Sequence, residues 1–195
     1  MGRYSKAKMF NRKAARKKSK TDDILRSLHI QSGQTIADIG SGGGFFSVLF
    51  SYAVGKTGTV YAVDTNNDFL EFIQMQAREK GLGNIRTVLA TEHAVSLPVH
   101  EVDLVFVRNV YHHLTNRVEY FSKVREVLRP QGQVCIIEYT RRGSRLNFHR
   151  RCGHNVPREI ISDEMRKAGY IVSASFDFLP VQSFTIFRPR SDILK

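Results

Sequence analysis

At 195 residues the chain is long enough for one domain with a sizeable core. No apolar run approaches the length of a membrane helix and no hydrophobic signal segment opens the sequence, so the expected location is cytoplasmic, or peripheral to a membrane. The two cysteines, Cys135 and Cys152, form neither a disulfide framework nor paired metal spacing, and the net charge of +12 speaks of partners rather than of fold.

That charge is unevenly placed. Arg3, Lys6, Lys8, Arg12, Lys13, Arg16, Lys17, Lys18 and Lys20 precede the first acid, Asp22, and a second cluster runs from Arg141 to Arg151. Such runs are either solvated surface or a seat for a phosphate backbone, an anionic membrane or an acidic acceptor. Residues 1–20 read as a basic N-terminal arm in which Met9, Phe10, Ala14 and Ala15 line one side of a helix. Residues 21–195 read as a single domain.

Thr21-Asp22-Asp23 has the pattern of a helix cap followed by first-turn acids, predicting a short helix to Leu28. A turn at 31–33 leads into a β-branched strand, Thr35 to Ile39, and then a glycine loop and an apolar helix from Phe45 to Ala53. Strands are expected over 59–64, 85–89, 102–107, 133–138, 171–176 and 182–187. Helices are expected from Asn66 or Asn67 to near Gly81, from about Asn116 to Leu128, and from Pro157 to Ala168. Pro130-Gln131-Gly132 reads as a turn before the fifth strand. Alternating strands and helices imply an α/β fold with a largely parallel sheet covered on both faces, and the last two strands suit an antiparallel hairpin edge.

The most informative stretch is Asp38-Ile39-Gly40-Ser41-Gly42-Gly43-Gly44-Phe45. It is a glycine turn between a strand and a helix N-terminus, the arrangement that receives a nucleotide-type cofactor. Phe45 replaces the third glycine or alanine of the dinucleotide fingerprint, and Asp38 lies outside that fingerprint. About twenty residues on, Asp64 ends a second strand, placed to accept hydrogen bonds from ribose hydroxyls.

An acid before the glycine loop and an acid ending the second strand resemble a class I S-adenosylmethionine-dependent methyltransferase. The resemblance runs from Thr21 to about Arg188 and is strongest to the small enzymes grouped with the ubiquinone/menaquinone-biosynthesis methyltransferases. It implies a Rossmann-like doubly wound sheet of seven strands, with S-adenosylmethionine as cofactor and S-adenosylhomocysteine as product. It also implies that Asp38 lies near the methionine amino end, that Gly40, Ser41 and Gly42 pass beneath the methionine and ribose, and that Thr65 follows Asp64 beside the adenine.

Glu92 and His93 fall where such enzymes place an acid against the adenine amino group, although the register to Leu97-Pro98 is loose. Asn109-Val110-Tyr111-His112-His113-Leu114 follows the fourth strand at the carboxyl edge where these sheets bind ligands. By the resemblance, Arg108 and Asn109 border the sulfonium, while Tyr111 and His112 face the acceptor. Histidine is the natural base near neutral pH if the acceptor loses a proton, with capping or packing of the next helix the alternative. His154 is a further candidate, from a segment that can border the acceptor pocket. His149, Cys152 and His154 number too few, in too basic a stretch, to predict a metal site.

Methylation of a small molecule, such as an apolar ring compound or lipid-like precursor, is the leading expectation, with the arm resting on anionic lipid. RNA or DNA methylation is the alternative that the charge invites. The sequence lacks the Asn/Asp-Pro-Pro-Tyr/Phe and Pro-Cys motifs that such chemistry uses. A cofactor-binding scaffold without turnover is the third reading.

Overall fold

The computed structural model describes residues 2–91, 93, 96–140 and 155–190, in two compact units, Met1–Thr91 and Glu92–Lys195. In the first, β1 (Thr35–Ile39), β2 (Thr59–Asp64) and β3 (Ile85–Leu89) run parallel, with Thr35 opposite Thr59 and Val60 opposite Ile85. All of β1 and nearly all of β2 are buried, as the β-branched runs of an interior parallel strand require. The edge strand β3 is only partly covered.

Helices α3 (Phe45–Val54) and α4 (Asn67–Glu79) follow β1 and β2. Asn66 caps α4 by accepting the amide hydrogens of Asp68 (2.9 Å) and Phe69 (3.4 Å).

The basic N-terminal segment is structured. Helix α1 spans Ser5–Ala14, and a single 3-10 turn, Lys17–Ser19, leads to α2 (Thr21–Leu28). The face that α1 turns inward differs from the one expected. Ala7 is fully buried and Tyr4, Phe10, Asn11 and Ala14 are partly so, whereas Met9 and Ala15 are exposed. The spacing 4-7-11-14 is that of a helix stripe.

The cap of α2 also differs. Lys20, in the left-handed region (φ 52°), is the N-cap residue, and the Thr21 hydroxyl donates instead to the Ala14 carbonyl at 3.2 Å.

In the second unit β4 (Val102–Arg108) pairs parallel with β5 (Leu128–Tyr139). A short 3-10 helix, Tyr111–His113, and α5 (Arg117–Val127) lie between them. After α6 (Arg158–Lys167) come β6 (Tyr170–Phe176) and β7 (Gln182–Pro189); β7 runs antiparallel to both β5 and β6, the expected hairpin edge.

The expected turn at Pro130-Gln131-Gly132 is instead an irregularity inside β5. Pairing passes from Val102 opposite Leu128 to Leu104 opposite Gln133. Proline has no amide hydrogen for the ladder, and a side chain at Gly132 would come within 2.9 Å of the Val102 carbonyl. The strand order is β3-β2-β1-β4-β5-β7-β6 in a seven-stranded sheet; β1, β2 and β3 are parallel to one another, β4 is parallel to β5, and β7 is antiparallel to both its neighbours.

Among the described residues no helix is long and apolar enough to cross a membrane.

Candidate functional site

In the first unit the site is made mainly of backbone. The amides of Gly40 and Ser41 both donate to the Val63 carbonyl, at 2.8 and 3.0 Å, which ties the glycine loop to the end of β2. Gly42 has φ 55°, and its amide donates to Asp64 Oδ2 at 2.8 Å. The Asn66 amide donates to the other oxygen at 3.0 Å.

Asp64 is 9% exposed. Burial pushes its carboxyl pKa above the ordinary value, and the amides of Gly42, Asn66 and Thr65 pull against that shift. A buried carboxylate with spare lone pairs is an acceptor for a pair of hydroxyls. Asp38, also buried, accepts the Ser47 hydroxyl at 2.6 Å from the first turn of α3. Thr65 is exposed beside Asp64. The Ser41 hydroxyl is buried and has no hydrogen-bond partner among the described residues.

Helix α1 covers part of this loop. The Gly43 carbonyl accepts both Asn11 Nδ2 and Gln76 Nε2, each at 2.8 Å. A Cβ at Gly43 would collide with the Ala7 carbonyl and crowd Asn11 as well, so only glycine admits this approach. The Phe10 ring meets Phe69 edge-on, with centroids 5.7 Å apart, and Tyr4 packs on Phe72. Arg3 pairs with Asp68 at 2.9 Å and with Glu71 at 2.8 Å.

In the second unit the candidates follow β4. Arg108 ends the strand half-buried. Asn109 is held in the left-handed region at φ 57°, with its amide donating to the Ile137 carbonyl (2.8 Å) and its side-chain oxygen accepting Gln182 Nε2. A non-glycine residue in that conformation costs energy that the surrounding bonds must hold.

His112 Nδ1 lies 2.9 Å from Oε2 of Glu138, and the His112 amide reaches the same oxygen at 3.3 Å. Glu138 is fully buried, and its Oε1 accepts the Tyr139 amide at 2.7 Å. The His113 ring lies 4.0 Å from that of His112.

Tyr111 does not have the acceptor-facing position expected of it. It is completely buried, stacked on Phe121 at 5.5 Å, and its hydroxyl donates to Glu164 Oε2 at 2.7 Å. Burial and the neighbouring Glu164 carboxylate both raise its pKa, which keeps the phenol neutral. Arg117 grips Glu164 with two bonds of 2.8 Å and lies over the Tyr111 ring.

His93 is exposed, with Nδ1 2.7 Å from the Thr115 hydroxyl. Glu92 and His154 lie outside the described residues, as do the rest of the His149–Cys152 segment and the second basic cluster.

An open depression of about 770 Å³ is lined by residues 114–119 and Glu164, and none of the expected site residues line it. Its Arg117–Glu164 pair is already satisfied internally, which suits a solvated notch.

Cys135 is buried and its thiol is pushed well above the ordinary value by burial, so it is inert. Among the described residues no group of three or more His, Cys, Asp or Glu is arranged to hold a metal.

Two residues that matter were missed in the sequence. Asn11 was hidden in a charge run. Glu138 carried the same signal as Asp38 and Asp64, an acid closing an apolar strand (Val134-Cys135-Ile136-Ile137-Glu138).

The methyltransferase-domain family matches residues 37–136. The chain is 27% identical over 118 residues to the ubiquinone/menaquinone biosynthesis C-methyltransferase UbiE of Shewanella pealeana, a match covering 60% of this chain and 47% of that one. It thus spans about half the length of the curated relatives it matches. Among solved structures, an S-adenosylmethionine-dependent methyltransferase from Aquifex aeolicus superimposes with a TM-score of 0.78 at 20% identity, covering 85% of this chain and 87% of that chain. The [4+2]-cyclase SpnF superimposes with a TM-score of 0.74 at 12% identity, covering 89% and 80%. At these identities the two structures speak for the fold.

Proposed function

The chain belongs to the methyltransferase-domain family, whose methyl donor is S-adenosylmethionine, and on that premise we propose that it methylates a small molecule, an apolar ring compound or lipid-like precursor. The curated relative named above is a ubiquinone/menaquinone biosynthesis C-methyltransferase, which supports a ring acceptor. The observation that carries the reading is the Asp64 carboxylate, held by the amides of Gly42 and Asn66 beside the unsatisfied Ser41 hydroxyl.

The donor supplies an activated methyl on a sulfonium, so the residues need chiefly to bind, align and exclude water. Asp64 would accept the ribose hydroxyls. Gly40, Ser41 and Gly42 would line the methionine and ribose, Asp38 would face the amino end, and Thr65 would lie by the adenine. In the second unit Arg108 and Asn109 would border the sulfonium, with His112 on the acceptor side.

The exposed outer residues of α1, Lys6, Lys8, Arg12 and Lys13 with Met9, would lie on anionic lipid, each charge contributing about 1 kcal/mol near such a surface. Changing these four cations to glutamine tests that reading without unseating Phe10 and Asn11 from the glycine loop. Loss of binding to phosphatidylserine vesicles is expected, and unchanged binding removes the membrane.

The decisive experiment incubates the protein with methyl-labelled S-adenosylmethionine and fractionated cell extract. Label in the organic-soluble fraction is expected. Label in RNA would replace this reading with nucleic-acid methylation, and cofactor binding without any transfer would leave a scaffold.

A further inference from the structure

We propose that Glu138 is a positioning residue: it holds the His112 ring with Nδ1 protonated, so that Nε2 is the basic nitrogen that takes a proton from the methyl acceptor. The proposal deepens the methyl-transfer reading and rests on it for the identity of the reaction.

Glu138 is fully buried, where a carboxylate is costly unless donors surround it. Three donors do. The Tyr139 amide reaches Oε1 at 2.7 Å, and the His112 amide and ring Nδ1 reach Oε2 at 3.3 and 2.9 Å. Two of these are backbone amides, which only donate, one on each oxygen. A carboxylate offers only lone pairs, so the ring nitrogen facing it carries the hydrogen. A neutral imidazole has one N–H, which makes Nε2 the lone-pair nitrogen.

The arrangement is built to fix a ring. The same oxygen binds the backbone and the side chain of His112, while Asn109 three residues earlier is locked to β5 and to Gln182 of β7. Packing alone needs none of this, since an apolar residue would fill the end of β5 without a buried charge.

This chemistry selects an acceptor whose attacking atom gives up a proton, such as a phenol-like or enol-like oxygen or the ring carbon beside one. The attacking atom bonds to the methyl carbon as the carbon–sulfur bond breaks and its electron pair returns to sulfur. The acceptor's proton passes to Nε2, the imidazolium keeps its Nδ1–H on the Glu138 carboxylate, and the proton then leaves to water. Amines that attack through a free lone pair need no such base.

The test is nitrogen-15 NMR of the histidine rings in the full chain with S-adenosylhomocysteine bound, His112→Gln assigning the resonance. The Nδ1–H tautomer is expected for His112. Glu138→Gln is expected to move the ring toward the Nε2–H tautomer and to lower single-turnover transfer from labelled S-adenosylmethionine into the organic-soluble extract about 100-fold, with S-adenosylhomocysteine affinity within twofold of the parent. Glu138→Asp should restore part of both.

A parent protein with His112 as Nε2–H, or a Glu138→Gln variant that keeps tautomer and rate, overturns the proposal. The parent tautomer is read without an acceptor and without Glu138→Gln, His112→Gln serving only to assign the resonance. An Nε2–H parent ring therefore overturns the proposal even if the Glu138→Gln variant does not fold or no methylated product is found.

Discussion

The loop after β1 and the loop after β4 both close a strand of the same sheet, yet they are built from different materials. The first offers only its own backbone groups: the Gly40 and Ser41 amides to Val63, the Gly42 amide to the Asp64 carboxylate, and the Gly43 carbonyl to the Asn11 and Gln76 side chains. The second is held by its own side chains as well, His112 against Glu138 and Asn109 against Gln182. A ligand common to a whole family suits a backbone grip, because glycine geometry tolerates drift in the surrounding side chains. A variable acceptor suits side-chain pairs, which can be exchanged one at a time.

That contrast is broken most directly at Asp64. Asp64→Asn keeps the shape but removes the charge and places an amide nitrogen opposite one of the two backbone donors. Two charge-assisted hydrogen bonds to the ribose are worth about 3 kcal/mol together, so the affinity for S-adenosylhomocysteine should fall on the order of 100-fold by calorimetry. A change under threefold would mean that the backbone, with no help from the carboxylate, binds the donor.

The next effect is at Gly43. Alanine there would drive its methyl into the Ala7 carbonyl and the Asn11 side chain, at a cost of about 2 kcal/mol in thermal or denaturant unfolding. Adding Asn11→Ala should recover only part of the loss, because the Ala7 carbonyl remains in the way, and the two changes should be non-additive. Full additivity would show that α1 does not bear on the loop as the contacts indicate.

The same contrast explains what was legible in the sequence. The seven strands, the glycine loop and the acids Asp38 and Asp64 are local patterns, each readable within about ten residues. The partner of His112 is 26 residues away and that of Asn109 is 73, and no periodicity encodes such pairs. Tyr111 illustrates the same limit. Its place in the Asn-x-x-His-His-Leu run suggested the acceptor, but a 3-10 turn points neighbouring side chains apart, and Phe121 and Glu164 claimed the phenol. The Thr21 cap failed for a local reason: Lys20 in the left-handed region serves as the N-cap residue and leaves the threonine hydroxyl to Ala14.

The smallest expected effect sharpens the division within the second unit, between a tyrosine that holds structure and the histidine proposed to meet the acceptor. Tyr111→Phe removes one hydrogen bond to Glu164 while leaving the two from Arg117. Methyl transfer should stay within about threefold of the parent, and stability should drop by about 1 kcal/mol. Burial opposes ionisation of the Glu164 carboxyl, but the bonds from Arg117 and Tyr111 outweigh it and hold its pKa below the ordinary 4.5. A carboxyl with a lowered folded-state pKa adds stability that is complete above its unfolded value and is lost as pH falls through the folded one. The difference between Tyr111→Phe and the parent should therefore be largest near neutrality and should narrow below about pH 4.5 as the carboxylate is protonated. Chemical denaturation across that range measures it. A Tyr111→Phe variant that kept full stability but lost transfer would return the phenol to the acceptor side beside His112.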